Sequence, residues 1–202
     1  MLDDLGSPIE RQLQTWLSTF DADTISVAGI LCDQHAEDPQ KTALLYEDAL
    51  GNSARYTFAQ LRDLSSRLAG VLKALGVTKG DRVATLLPKS PELLVTTLGL
   101  WRLGAAHVPL FTAFGPQAIS SRVENSQARV LVTDVANRHK VSYANAGPGS
   151  PQVVTVTDDS SGTHDGDVAY RDALAQADPV TDPVLTCGDD LFILIYTSGT
   201  TG

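Results

Sequence analysis

The sequence predicts an α/β fold, a doubly wound and largely parallel sheet with flanking helices. Three observations carry this expectation. From residue 57 onward, helical stretches with apolar residues three and four apart alternate four times with short β-rich apolar runs. The last of these runs, residues 191–196 (LFILIY), has no polar alternation, as a strand buried on both faces in the middle of a parallel sheet requires. The chain has 202 residues, 43% of them hydrophobic and 19% charged, enough to bury one substantial core.

The elements follow in order. Residues 9–20 read as an amphipathic helix and residues 25–37 as a second one. Residues 42–46 (TALLY) and 55–57 (RYT), separated by the Gly51-Asn52 turn, predict a hairpin. Phe58, Leu61, Leu64, Leu68, Val71, Leu72 and Leu75 define one helical face. Thr57 and Gln60 form a capping-box start for that helix, and Gly76 supplies its stop. Residues 81–87 are a buried strand. Ser90-Pro91 opens a helix that Gly104 closes. This helix is apolar almost all round, so it should be buried, with Glu92 and Arg102 as its exposed or terminal charges. Trp16 and Trp101 read as packing residues. Residues 106–111 form a strand whose Pro109 belongs at an edge or a strand end. A helix over 116–125, a strand over 129–133, a helix over 135–144, a loop over 145–151, a strand over 153–157 and a short helix over 168–177 complete the alternation. The acidic turn 158–167 (DDSSGTHDGD) lacks the alternating ligands and terminal Glu of a calcium loop and reads as solvated. Two parts follow: a helical lead-in over 1–40 and the main domain over 41–202.

Net charge is −9, which disfavours nucleic acid and anionic lipid as partners. The two cysteines, Cys32 and Cys187, are too far apart for a metal knuckle or a CxxC pair and read as reduced thiols. The four histidines show no metal spacing and no Ser/His/Asp arrangement. Asp3, Asp4 and Glu10 stand where a signal peptide needs a basic end and an apolar run, and no run is long enough to span a bilayer. A cytoplasmic protein is expected.

Chemistry concentrates at the end of the chain. Thr197, Ser198, Gly199, Thr200, Thr201 and Gly202 follow the last apolar run directly. In open α/β sheets ligands collect at the carboxyl ends of strands. Glycines let backbone N–H groups turn inward, and hydroxyls add neutral donors, so the segment suits a polyphosphate. It is not a Walker loop, because no Lys follows the glycines, and no G-x-G-x-x-G run occurs anywhere in the chain.

The stretch YTSGTTG at 196–202 resembles the phosphate-binding signature of the adenylate-forming (AMP-binding) superfamily. Other stretches agree: Tyr56-Thr57-Phe58-Ala59-Gln60-Leu61, Gly80-Asp81-Arg82-Val83-Ala84, and the run from Gly99 to Leu110 that ends in His107-Val108-Pro109-Leu110. Phe111-Thr112-Ala113-Phe114-Gly115-Pro116 is most similar to the acetyl-CoA and short- to medium-chain acyl-CoA synthetase branch. The resemblance implies a carboxylic acid substrate, ATP and Mg²⁺ for an acyl-adenylate step, and CoA for thioester formation. It assigns 197–202 to the ATP phosphates. It also implies that the remaining catalytic residues lie downstream. The chain is therefore expected to be an N-terminal fragment that is inactive alone and contains no catalytic residue. A non-catalytic remnant of a broken gene, and a ligase with an acyl-carrier-protein acceptor, stay open as alternatives.

The same resemblance brings four further residues into view. Arg138 and Lys140 stand where acetyl-CoA synthetases meet the CoA 3′-phosphate; an ordinary solvated helix face is the other reading. Phe114 and Gly115 line the pantetheine path, or simply form a helix-entry turn. The resemblance leaves acyl chain length and oligomeric state open.

Overall fold

The computed structural model describes residues 7–141, 149–157 and 163–197. Helix α1 (Pro8–Phe20) starts at a capping box: Ser7 Oγ accepts the Glu10 amide at 3.3 Å, and the Glu10 carboxylate accepts the Ser7 amide. None of its residues is buried. Trp16, expected to pack, is 55% exposed. The helix expected over 25–37 divides into α2 (Val27–Leu31) and a 3₁₀ turn (Asp33–His35). The break at Cys32, with φ −132°, turns that side chain into the core and leads the chain on to Asp33.

Strands β1 (Thr42–Glu47) and β2 (Ser53–Thr57) form the expected antiparallel hairpin. Asp48 closes its turn by accepting the Leu50 and Asn52 amides, both at 2.8 Å. Helix α3 (Phe58–Ala74) carries the predicted reciprocal cap: the Gln60 amide donates to Thr57 Oγ1 at 3.2 Å and the Thr57 amide to Gln60 Oε1 at 2.8 Å. Gly76, at φ 82°, ends it in a conformation that only glycine adopts cheaply.

The larger sheet is built from β3 (Arg82–Leu86), β4 (Ala106–Pro109), β5 (Val130–Asp134), β6 (Gln152–Val156) and β7 (Val168–Ala169). Its order is β4-β3-β5-β6-β7, and every pairing is parallel. Between the strands lie α4 (Pro91–Arg102), α5 (Pro116–Ser126) and α6 (Val135–Arg138), and α7 (Tyr170–Gln176) follows β7. Strand alternation divides the core in two. Val83, Val130, Val132 and Val154 face α3, α4 and α7, whereas Ala84, Leu86, Leu131 and Val153 face Ile119 and Val123 of α5. Leu68, Leu72, Leu86 and Leu100 are fully buried. Each such side chain contributes about 2 kcal/mol by its removal from water. Among the described residues no helix is long and apolar enough to cross a membrane.

Besides Trp16 and the divided helix over 25–37, four further expectations need correction. The helix expected over 168–177 gives its first two residues to β7, because Val168 and Ala169 pair with Val154 and Thr155. The described part of the helix expected over 135–144 is a single turn; residues 142–148 lie outside the described residues, as do residues 158–162 of the acidic turn. Arg102 is not an exposed helix-end charge. It is fully buried, paired with Asp33, and its Nε donates to Ser65 Oγ at 2.9 Å. Finally, residues 191–196 are not a central strand. They run beside β4 through one parallel bridge, Ile193 to His107, and Phe192, Ile193 and Ile195 stay exposed because no further strand covers that edge among the described residues.

Candidate functional site

The connections set the crevice. From β3 the chain turns to α4 on one face of the sheet, and from β4 it turns to α5 on the other. Diverging connections from adjacent parallel strands open a cleft at their carboxyl ends, where α/β proteins hold ligands. Segment 191–197 runs parallel to β4, with the His107 amide donating to Phe192 O at 3.1 Å and the Leu194 amide to His107 O at 2.8 Å. It delivers Thr197, which is exposed, to the carboxyl end of the sheet. Ser198, Gly199, Thr200, Thr201 and Gly202 lie outside the described residues.

Tyr196 enters this end of the sheet through two contacts, both with α5. Its hydroxyl donates to Asn125 Oδ1 at 2.7 Å. The Arg122 guanidinium carbon lies 5.6 Å from its ring centre and 4.4 Å from that of Phe114. Phe114 in turn meets Phe111 edge-on at 5.3 Å. Gly115 is the N-cap of α5, and a Cβ there would meet nothing within 4 Å. The backbone at 114–115 therefore faces open space beside the aromatic cluster.

Arg138 and Lys140 are both close to the crevice, but they differ. Arg138 is 6% exposed. Its Nε and Nη2 donate to the two oxygens of Asp167 at 2.6 and 2.9 Å, and Nη1 donates to Val141 O at 2.6 Å. Thr155 Oγ1 adds a third bond to Asp167, at 2.7 Å. Burial alone would raise the Asp167 carboxyl; the bonds from Arg138 and Thr155, with the Arg138 charge, outweigh it and hold the carboxyl below its ordinary range. Lys140 Nζ donates to Thr112 O at 2.6 Å and to Asn137 Oδ1 at 2.8 Å. It thus ties the connection after β5 to the connection after β4. Among the described residues it has no carboxylate within salt-bridge distance, and one of its three N–H donors is uncommitted.

His107 sits on β4 beneath the cleft, bonded to Thr85 Oγ1 at 2.8 Å. Burial pushes its pKa down to about 4, so the ring is neutral near pH 7. Among the described residues no cluster of His, Cys, Asp or Glu converges as metal ligands. The donors gathered here are hydroxyls, amides and cations, which fit an anion.

Sequence reasoning did not single out Arg122 or Asn125. The one available signal was spacing within α5: Arg122 and Asn125 are three residues apart, which puts them on one face of that helix. Their meeting with Tyr196, 71 residues beyond Asn125, is tertiary.

The fold is that of a parallel α/β domain with helices on both faces of its sheet, and comparison with known proteins gives its class. A family model described as AMP-binding enzyme matches residues 31–202. The chain belongs to that family. It is 35% identical to the acetyl-coenzyme A synthetase of Halorhodospira halophila over 198 residues, which is 91% of this chain and 31% of that protein. It is 38% identical to the acetyl-coenzyme A synthetase of Bacillus subtilis over 174 residues, 84% of this chain and 30% of that protein. A solved acyl-CoA synthetase from Brucella canis superposes with a TM-score of 0.84 at 36% identity, covering 94% of this chain and 35% of the other. The chain thus spans about a third of the length of these relatives.

Proposed function

We propose that this chain forms the N-terminal part of an ATP-dependent acyl-CoA synthetase, which activates a carboxylic acid as its adenylate and passes the acyl group to CoA. The observation that carries the reading is the delivery of Thr197, the first residue of the TSGTTG stretch, to the carboxyl end of a sheet whose adjacent connections diverge.

In this reading ATP would supply the adenylyl group, with pyrophosphate as the leaving group, and the chain's own part is binding. Residues 197–202 offer amides and hydroxyls to the β- and γ-phosphates, a neutral donor set that suits a Mg²⁺-shielded polyphosphate. The spare donor of Lys140 suits a CoA phosphate, since no carboxylate competes for it among the described residues. Arg138, with its fork on Asp167, serves the CoA side by holding the segment that carries Lys140. Phe114 and Gly115 present an apolar ring and an open backbone to the pantetheine arm. In this reading the 202 residues bind without completing the chemistry, because they match only about a third of the length of the relatives.

Two assays test this. The purified chain should bind MgATP saturably and form no acyl-CoA from acetate, ATP and CoA. A chimaera in which residues 31–202 replace the matching stretch of the Bacillus subtilis relative should catalyse acetate-dependent ATP–pyrophosphate exchange. Absence of MgATP binding, or a folded chimaera without exchange, would contradict the proposal.

A second reading rests on the exposed apolar edge formed by Leu191, Phe192, Ile193 and Ile195. A polypeptide with such an edge and no cover for it self-associates, as a remnant without an independent task would. Monomeric behaviour with a cooperative melt argues against that reading, and concentration-dependent aggregation argues for it.

A further inference from the structure

We propose that Arg122 is a positioning residue for the phosphate-binding stretch, acting through Tyr196. The inference rests on the phosphate reading of residues 197–202 given above, and it assigns a task to a helix that this reading does not use.

Arg122 is unusually placed for a surface-helix arginine. Its Nε is buried without a hydrogen-bond partner among the described residues. The guanidinium lies over two aromatic rings, 4.4 Å from the centre of Phe114 and 5.6 Å from that of Tyr196, and its Nη1 is tethered to Ala118 O at 2.9 Å. A flat cation over two rings gains electrostatic attraction from each. One turn further along α5, Asn125 accepts the Tyr196 hydroxyl at 2.7 Å. Tyr196 is therefore gripped at its ring and at its tip from a single rigid helix. Asn125 and Arg122 are three residues apart, the spacing that puts two side chains on one helical face.

The consequence is geometric. Among the described residues segment 191–196 pairs with the sheet through one bridge, at Ile193; Trp101 holds Phe192 before it and Leu194 packs on the core, but Ile195 is exposed. Three residues past that bridge, the Tyr196 ring fixes the direction in which the chain leaves for Thr197. A donor stretch aimed at phosphate loses affinity when its entry angle is free, because ordering it then costs conformational entropy at the moment of binding. The clamp supplies that ordering in advance. It also joins Tyr196, which leads into Thr197, to Phe114 on the connection after β4, so both are tied to α5.

The test uses the 202-residue chain with three variants, Arg122→Met, Arg122→Lys and Tyr196→Phe. Two readouts are taken: amide exchange over residues 193–202 without nucleotide, and MgATP affinity. Arg122→Met keeps the apolar stem and loses the charge. It should accelerate exchange over 193–202 and weaken MgATP binding by about tenfold, the scale of one desolvated cation–π contact. Exchange in β3 and β5 should be unchanged. Arg122→Lys should restore affinity to within about threefold of the parent, since the cation remains over the rings. A merely structural arginine would not give a charge-dependent rescue of ligand affinity. Tyr196→Phe removes only the hydroxyl and cannot perturb the core; it should accelerate the same local exchange.

Arg122→Met that exchanges and binds like the parent overturns the inference and leaves the phosphate reading standing. A parent chain that does not bind MgATP overturns that reading, and the inference with it. Should Arg122→Met fail to fold, Tyr196→Phe decides: unchanged exchange over 193–202 overturns the clamp.

Discussion

Arg138 grips Asp167 with two prongs inside the protein, Nε at 2.6 Å from Oδ2 and Nη2 at 2.9 Å from Oδ1, with side chains 7% and 0% exposed. The pair joins the end of α6 to the segment just before β7, across the carboxyl ends of β5 and β6. Removing one partner strands a charge out of water. Asp167→Ala should therefore destabilise the chain by about 3–5 kcal/mol in urea unfolding. Replacing both groups by apolar residues, as in Arg138→Met with Asp167→Leu, should cost much less. The carboxyl is held below its ordinary range, so its stabilisation is full above the unfolded value of 3.8 and disappears as the pH falls through the folded one.

His107 sets a different pH dependence. The unfolded ring takes a proton near pH 6.5 and the folded ring only near 4, because burial penalises the charged form. Between these values the unfolded chain binds more protons, so stability rises with pH through this window and levels off above it. The contribution is on the order of 3 kcal/mol. His107→Gln lacks the titration. Between pH 7 and pH 4 the parent should lose roughly 6–12 °C more in melting temperature than this variant. Parallel melting curves would refute the assignment.

Gly70 marks a close approach of backbones. A Cβ there would sit 2.0 Å from the carbonyl oxygen of Asp178. The segment is pinned to α3 by the Val180 amide, which donates to Ser66 O at 2.9 Å. Gly70→Ala should destabilise the chain by about 2–3 kcal/mol, the upper part of the overpacking range. Amide exchange should show residues 176–182 released first.

Much of the fold was legible because its signals are local. The Thr57–Gln60 cap, the Ser90-Pro91 helix start and the Gly76 stop are each decided within a few residues, and all stand where the sequence put them. The sheet class followed from the alternation of periods. What was not legible depends on distant partners. The burial of Arg102 needs Asp33, 69 residues away, and a helix-end arginine looks alike in sequence with or without such a partner. Residues 191–196 are apolar enough for two-sided burial, but apolarity does not say which neighbours supply it; among the described residues β4 is the only strand beside them, with Trp101 against Phe192 and the α5 side of the core against Leu194 and Tyr196. At the candidate site the sequence nominated residues 197–202, Arg138, Lys140, Phe114 and Gly115. It did not distinguish Lys140, which keeps a donor free, from Arg138, whose fork is committed to Asp167.

The central claim is that the stretch beginning at Thr197 binds polyphosphate. A titration of the ¹⁵N-labelled chain with MgATP, followed through its backbone amide resonances, tests it most directly. The account predicts saturable shifts that are largest over residues 197–202, reach Tyr196, are reproduced over 197–202 by inorganic pyrophosphate with Mg²⁺, and are small across α1 and the β1–β2 hairpin. Saturable shifts centred elsewhere, or none at all in a folded chain, would contradict it.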